Sequence, residues 1–318
     1  MRYLLVFLCL LVMPFDTNAQ FGDIGQTGVT LATQPRIPEP FTETTIEMTA
    51  FSFDTVGSSI TWLIDGVEDV SARNQRVITL TTKALGEATE ITNIMRLRSG
   101  VEIITTETII PARVDIVLEA ETLVPAFYKG RPLPSIGSTV RAIAIPQTNN
   151  NAAPAAYSYE WRLGNEVLFN GPITGINVAE FEIGLNKNET LAVSVTDRSG
   201  VLVAHKTIVI PVTEPEVVFY EENPLRGVTG IALPSPYYLV GEETTVRAEP
   251  FYMSSNIFSA NPLIEWEIDG RTVTNPSTDP QYLTLRKTGG IGSARVSFHI
   301  RNLQQLVQGV EDRFVIQF

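Results

Sequence analysis

Cysteine is almost missing from this sequence, and histidine nearly so. The 318 residues include one Cys, Cys9, and two His, His205 and His299. One thiol cannot close a disulfide within the chain, and so few soft ligands leave little to hold zinc or haem. Positive charge is also scarce. Lys and Arg number 23 against 35 Asp and Glu, a formal net charge of −12. Binding to nucleic acid is mostly cationic contact with phosphate, so that balance argues against such a partner. It also disfavours docking on an anionic membrane. Long apolar runs are lacking too. The longest, Leu4 to Met13, is half of the roughly 20 residues a membrane-spanning helix needs. Catalytic signatures are equally sparse. There is no Gly-x-Ser-x-Gly elbow, His-Glu-x-x-His pair, phosphate-cradling glycine loop or Asp-rich calcium loop, and the two His fall in different parts of the chain. The sequence predicts a non-enzyme with no cofactor.

The apolar run does have a use. Arg2 precedes it, Pro14 breaks it, and Thr17-Asn18-Ala19 offers small residues before Gln20. That is the layout of a secretory signal peptide over residues 1–19, followed by a leader over 20–25. Cleavage after Ala19 removes Cys9. The mature chain then has no thiol in a compartment that permits disulfides, so each domain must stand on its core alone. The expected location is secreted or at a bacterial cell surface, with no transmembrane segment and no room after the last unit for an anchor.

Three similar stretches organise the rest. The only tryptophans, Trp62, Trp161 and Trp266, lie 99 and 105 residues apart. Their settings are Ile60-Thr61-Trp62-Leu63-Ile64-Asp65-Gly66, Tyr159-Glu160-Trp161-Arg162-Leu163-Gly164-Asn165 and Ile264-Glu265-Trp266-Glu267-Ile268-Asp269-Gly270. Each alternates apolar with polar and then meets a pair of residues suited to a two-residue hairpin turn. The match continues. Arg98-Ser99-Gly100-Val101 recurs as Arg198-Ser199-Gly200-Val201, and Arg301-Asn302-Leu303 takes its place in the third stretch. Upstream, Thr139-Val140-Arg141-Ala142 matches Thr245-Val246-Arg247-Ala248 and, more loosely, Thr45-Ile46-Glu47-Met48. The stretches close on Ile109-Ile110-Pro111, Val209-Ile210-Pro211 and Val315-Ile316-Gln317, where Pro ends a strand because it cannot donate to the ladder. Domains are therefore expected at 26–112, 113–213 and 214–318. One segment fits less well: Leu85, Ala88, Ile91 and Ile94 recur every three residues, as on a helix face. Its counterparts read as strands, and a strand is expected there too, with a short helical turn near Lys83–Leu85.

About seven short strands per ~100 residues, with one Trp on a central strand, predict an all-β chain of three tandem immunoglobulin-like β-sandwich domains after the signal peptide. Trp62, Trp161 and Trp266 are the expected centres of the three cores. The Trp strand with its Asp-Gly turn and the Arg-Ser-Gly hairpin resemble the bacterial Ig-like and PKD-type domains that stand in tandem on secreted envelope proteins. The PKD pattern Trp-x-Phe-Gly-Asp-Gly becomes Trp62-Leu63-Ile64-Asp65-Gly66 here, and the antibody-type cysteine pair is absent. The resemblance implies an extracellular structural or adhesive role at the cell surface. The alternative is a glycan- or protein-binding module that recruits a partner. In either case the partner is an envelope protein or a glycan.

Two side-chain groups invite a sharper reading. Carboxylates gather near the joins: Asp115, Glu119 and Glu121 at the first, Glu214, Glu216, Glu221 and Glu222 at the second. Of these, Glu119, Glu121, Glu221 and Glu222 are candidates for Ca²⁺, which takes six to eight oxygens, against the plain reading of solubilising charge. Aromatic residues cluster as Tyr157 and Tyr159 before Trp161, and as Tyr237-Tyr238, Phe251-Tyr252 and Phe258 in the third unit. Exposed rings stack on sugars or anchor proteins, against the plain reading of half-buried sheet residues.

Overall fold

The structure is a computed structural model, and it describes residues 28–51, 54–148, 152–274 and 278–318. The expected signal peptide (1–19) and leader (20–25) lie outside the described residues. Among the described residues, strands from Val29 onward are joined by loops and short 3₁₀ turns.

The first sandwich is built from β1 (Val29–Gln34), β2 (Glu43–Ala50), β3 (Ser59–Ile64), β4 (Val67–Glu68), β5 (Val77–Thr81), β6 (Thr89–Arg96) and β7 (Glu102–Ile109). One sheet runs β1-β2-β5 and the other β4-β3-β6-β7. The second sandwich has β8 (Arg113–Ala120), β9 (Thr139–Gln147), β10 (Ser158–Leu163), β11 (Glu166–Val167), β12 (Ile173–Thr174), β13 (Val178–Glu182), β14 (Thr190–Thr196) and β15 (Leu202–Val209). Its sheets run β8-β9-β13 and β11-β10-β14-β15, with β12 added beside β10. The third has β16 (Glu216–Asn223), β17 (Gly227–Ala232), β18 (Tyr237–Tyr238), β19 (Glu243–Phe251), β20 (Leu263–Ile268), β21 (Arg271–Val273), β22 (Tyr282–Arg286), β23 (Ser293–Arg301) and β24 (Gly309–Gln317). Its sheets run β17-β16-β19-β22 and β18-β24-β23-β20-β21. Leaving aside β12, β17 and β18, the same three-plus-four strand order occurs three times. This is a tandem array of immunoglobulin-like β-sandwiches.

The chain packs as two compact units. Of the described residues, one unit holds those through Arg36 with Glu43–Thr81 and Thr89–Ile109; the other holds Ile37–Thr42, Thr82–Ala88 and Ile110–Phe318, and so both later sandwiches.

Period-two alternation decides which side chains go in. Ile46 and Met48 on β2, Val140 and Ala142 on β9, and Val246 and Ala248 on β19 are all buried. Trp62, Trp161 and Trp266 sit on β3, β10 and β20 at 0–2% exposure, each in its own apolar cluster. The hairpin after each Trp follows from the turn residues. Asp65 and Gly66 have φ of 50° and 77°, and Asp269 and Gly270 have 49° and 74°, the left-handed region that a primed turn requires. Each Asp also fastens the turn to the next strand of its sheet. Asp65 Oδ1 accepts from the Glu90 N–H at 3.1 Å, and Asp269 Oδ1 from the Arg295 N–H at 2.9 Å. In the second sandwich Gly164 stands in that place and keeps only the backbone bond, its N–H donating to Thr190 O at 2.8 Å. The segment of three-residue apolar spacing resolves as a loop, in which the Glu87 N–H donates to Ala84 O at 3.0 Å, and then strand β6.

The three cores differ at one register position. Opposite Trp161 stands Val193, and opposite Trp266 stands Phe298, whose ring meets the indole edge-on at 4.8 Å. Opposite Trp62 stands Asn93, fully buried, with neither end of its amide hydrogen-bonded. An unsatisfied buried polar group costs about 1–3 kcal/mol. Asn93→Val, which copies the second sandwich, is therefore expected to stabilise the first unit by about 1–3 kcal/mol, read as a raised urea midpoint. A lowered midpoint would contradict this.

Tyr159, also fully buried, donates its hydroxyl to Pro154 O at 2.9 Å. Burial, with the neighbouring Tyr157 adding to it, pushes this phenol from 10 up to about 12. Because the folded value lies above the unfolded one, the stabilisation is complete below pH 10 and is lost as pH climbs toward 12. Melting temperature followed against tyrosinate absorbance should show the second sandwich weakening across that window. A flat profile there would contradict it.

Candidate ligand site at the junction of the second and third sandwiches

The site begins with alternation on β16 and β19. Val217, Phe219, Val246 and Ala248 face the Trp266 core. Val218, Tyr220, Arg247 and Glu249 therefore face the other way. In an isolated domain that face would meet water. Here the long connection after β8 joins it.

The connection is fastened by backbone. Leu123 and the turn after β19 exchange bonds: the Leu123 N–H donates to Met253 O at 2.7 Å, and the Tyr252 N–H donates to Leu123 O at 2.8 Å. The Ser255 N–H adds a third bond, to Glu121 O at 3.0 Å. Tyr252 takes a positive φ of 61° to make this turn, an uncommon conformation for a bulky residue. Surrounding bonds hold it there, among them one from Ser135 Oγ to Tyr252 O at 2.5 Å. An aromatic cluster fills the space beneath. Phe127 meets Tyr220 edge-on at 5.0 Å and Tyr128 meets Phe251 at 5.3 Å. The Tyr128 and Tyr252 hydroxyls lie 3.2 Å apart. That bond, followed by burial, pushes the Tyr252 phenol up to about 12.

Gln308 closes the junction from the other side. It is fully buried. Its Oε1 accepts from the Ser254 N–H at 2.7 Å, and its Nε2 donates to Ile136 O at 2.9 Å and to Ser135 Oγ at 3.3 Å. Gln305 adds a bond from Nε2 to Glu182 Oε1 at 2.7 Å.

Two hollows open along this seam. One is polar, about 350 Å³, and lined by Glu121, Thr139, Ser254, Asn256, Asn302 and Gln304 among others. The other, about 270 Å³, has apolar walls that include Leu123, Pro125, Phe127, Val228 and Phe258, and a floor of Arg247, Glu249 and Gln281. Among the described residues Glu249 is the only charged residue that is buried, at 7% exposure. Arg247 Nε lies 2.6 Å from Glu249 Oε1 but off the N–H axis, so that N–H has no aligned acceptor. Gln281 Nε2 donates to Ala248 O at 3.0 Å and reaches Glu249 Oε2 at 3.4 Å. Arg247 Nη1 donates to the Tyr282 hydroxyl at 2.5 Å, with its guanidinium carbon 4.9 Å from that ring's centre. Desolvation pushes the Glu249 carboxyl above its ordinary range; Arg247 and Gln281 oppose the shift and Asp279 adds to it.

The candidate residues from the sequence fall in various places. Trp62, Trp161 and Trp266 are in the cores. Glu119, on β8, pairs with Arg141 at 3.7 Å, while Glu121 lines the polar hollow. Glu221 and Glu222 are consecutive on β16, so they point to opposite faces. Among the described residues no three His, Cys, Asp or Glu converge as a metal-holding group. Tyr157 and Tyr159 are buried in the second core, and Phe251 and Tyr252 are buried at the seam. Tyr237 packs against the third core, while Tyr238 is exposed. Of that set only Phe258 lines the 270 Å³ hollow. His205 lies 3.1 Å from Ser194 Oγ on the second sandwich, and His299 lies 3.6 Å from Glu265 on the third. Sequence reasoning missed Phe127, Arg247, Glu249 and Gln281. One signal was present: Arg247 and Glu249 bracket a core Ala248 and lead into Pro250 and an aromatic pair.

No family model and no curated protein matches the chain in sequence. Solved structures show a likeness in structure. The fibronectin(III)-like modules of Clostridium thermocellum CbhA are 12% identical, covering 58% of this chain and 95% of theirs, with a TM-score of 0.26. The three N-terminal domains of the bacteriophage RB49 outer capsid protein Hoc are 11% identical over 91% of this chain and 97% of theirs, with a TM-score of 0.24. SGBP-B of the Bacteroides ovatus mixed-linkage glucan utilization locus, solved with a mixed-linkage heptasaccharide, is 14% identical over 96% of this chain and 68% of its own, with a TM-score of 0.22. The class of this chain, tandem immunoglobulin-like β-sandwiches, rests on its repeated strand order. No helix among the described residues is long and apolar enough to cross a membrane.

Proposed function

We propose that the protein is a secreted, non-enzymatic component of a bacterial cell surface with a structural or adhesive role. It is read as three Ig-like domains, 26–112, 113–213 and 214–318, behind a signal peptide, of the kind found in bacterial Ig-like and PKD-type envelope modules. The observation that carries this reading is the seam between the second and third sandwiches. Backbone ladder bonds and a buried glutamine hold the seam together, where a flexible linker would suffice for domains that work separately. A stiff joint transmits load and fixes the orientation of a presented surface; it contributes nothing obvious to turnover. The test is cell fractionation with mass analysis of the N-terminus, beside adhesion and envelope-integrity assays of a strain lacking the chain. The expected result is a chain beginning at Gln20, accessible to external protease on intact cells, whose loss weakens attachment or the envelope. A full-length chain confined to the cytosol would overturn the proposal.

A further inference from the structure

We propose that the 270 Å³ hollow over β19 is a binding site for a neutral sugar ring, a terminal hexose or N-acetylhexosamine of a surface glycan. The inference builds on the surface reading above and names the chemistry of the partner.

The argument starts from charge. The floor holds one buried carboxylate and one guanidinium, 2.6 Å apart, and their charges offset each other. An anionic ligand would have to approach Glu249, and a cationic one Arg247. Either would lose its hydration to meet a like charge at short range. A neutral ligand meets neither penalty. Polarity narrows the choice further. A wholly apolar ligand would bury the floor without satisfying it. A carboxylate accepts about four hydrogen bonds and a guanidinium donates five. Gln281 Nε2 and the ion pair with Arg247 at Glu249, and Tyr282 at Arg247 Nη1, occupy only part of that capacity. What remains is a mixed set of acceptors and donors on one side of the hollow. The opposite demand comes from the walls. Phe127 and Phe258 are 38% and 39% exposed, and Leu123, Pro125 and Val228 stand beside them. An occupant must therefore offer hydroxyls on one side and C–H surface on the other, without charge. A pyranose ring does this, and the volume suits one such ring rather than an extended chain.

The placement also suits a specific site. Arg247 and Glu249 are fixed by β19, and Gln281 by its bond to the β19 backbone at Ala248 O. Phe127 is held edge-on against Tyr220 by the seam. The groups are thus presented by rigid elements, which lowers the ordering cost of binding.

The experiment uses the full chain and a panel of glucose, galactose, mannose, N-acetylglucosamine and their neutral oligosaccharides, with glucuronic acid and glucosamine as charged controls. Binding is read by calorimetry and by saturation-transfer NMR. The expected result is saturable binding of at least one neutral sugar, weakened about tenfold in Phe258→Ala, a loss equivalent to 1.4 kcal/mol. Glu249→Gln should shift the preference among the neutral sugars, and Tyr238→Ala, an exposed ring on β18, should leave binding unchanged. No saturable response from any neutral sugar overturns the inference. So does binding indifferent to Phe258→Ala, or a preference for the charged controls. Because circular dichroism of each variant is recorded alongside, a misfolded Phe258→Ala is recognised, and Glu249→Gln then decides the question. A chain that reaches the surface yet binds no neutral sugar sinks this inference alone; a cytosolic chain that binds one sinks only the surface reading.

Discussion

Trp161→Ala is expected to cost the second sandwich about 3–5 kcal/mol, as truncation of a buried tryptophan does, which is much of the 5–15 kcal/mol that stabilises a typical domain. The indole is 1% exposed and stands at the centre of a cluster drawn from both sheets, including Val140, Ala142, Val193 and Ile210. Urea unfolding should show the loss directly; a variant melting like the parent would mean that the indole is not the keystone of that core. The three tryptophans should not behave alike under milder change. The indole N–H of Trp62 donates to Gln75 O at 2.9 Å and that of Trp266 to Pro280 O at 2.9 Å, whereas Trp161 Nε1 is buried without a partner. Trp→Phe at 62 or 266 deletes a bond and orphans a carbonyl. At 161 it deletes an unsatisfied donor, so Trp161→Phe should be the mildest of the three by about 1 kcal/mol or more.

Gln308→Leu is the second large effect. Leucine nearly preserves the volume but supplies none of the bonds. The Ser254 N–H and the Ile136 carbonyl would then be left without their glutamine partners at the seam. At about 1–3 kcal/mol for each stranded group, the expected loss is several kcal/mol. It should fall on the coupling between the two sandwiches rather than on either Trp core. Calorimetry should show a single transition splitting in two. A uniform drop without splitting would place the effect inside the third sandwich instead.

The contrast between these predictions shows what sequence can and cannot carry. The Trp strands were legible because a core strand writes itself locally: Ile60, Trp62 and Ile64 alternate, and Asp65-Gly66 then turns the chain at positive φ. The matched Thr-Val-Arg-Ala strands were legible for the same reason. The seam was not. Its partners are far apart in sequence, Gln308 lying 172 residues from Ile136 and Tyr252 lying 117 from Ser135. A glutamine in a loop also reads as a solvated residue until another domain is placed over it. Arg247 and Glu249 were hidden by their own regularity, since they occupy the positions that an alternating strand normally gives to water. Asn93 departs from the pattern in the opposite direction: it is polar yet sits in the core register of β6, opposite Trp62. The helix-like spacing of Leu85, Ala88, Ile91 and Ile94 proved to be a loop followed by a strand, in which Ile91 is buried and Ile94 half-buried.

Scanning calorimetry of the full chain tests the central claim most directly, namely that residues 113–318 form one cooperative body joined through the seam. The account predicts that the second and third sandwiches melt in a single transition whose calorimetric and van't Hoff enthalpies agree, and that Gln308→Leu divides it. Two independent transitions for those sandwiches in the parent protein, each of a size expected for about 100 residues, would contradict it.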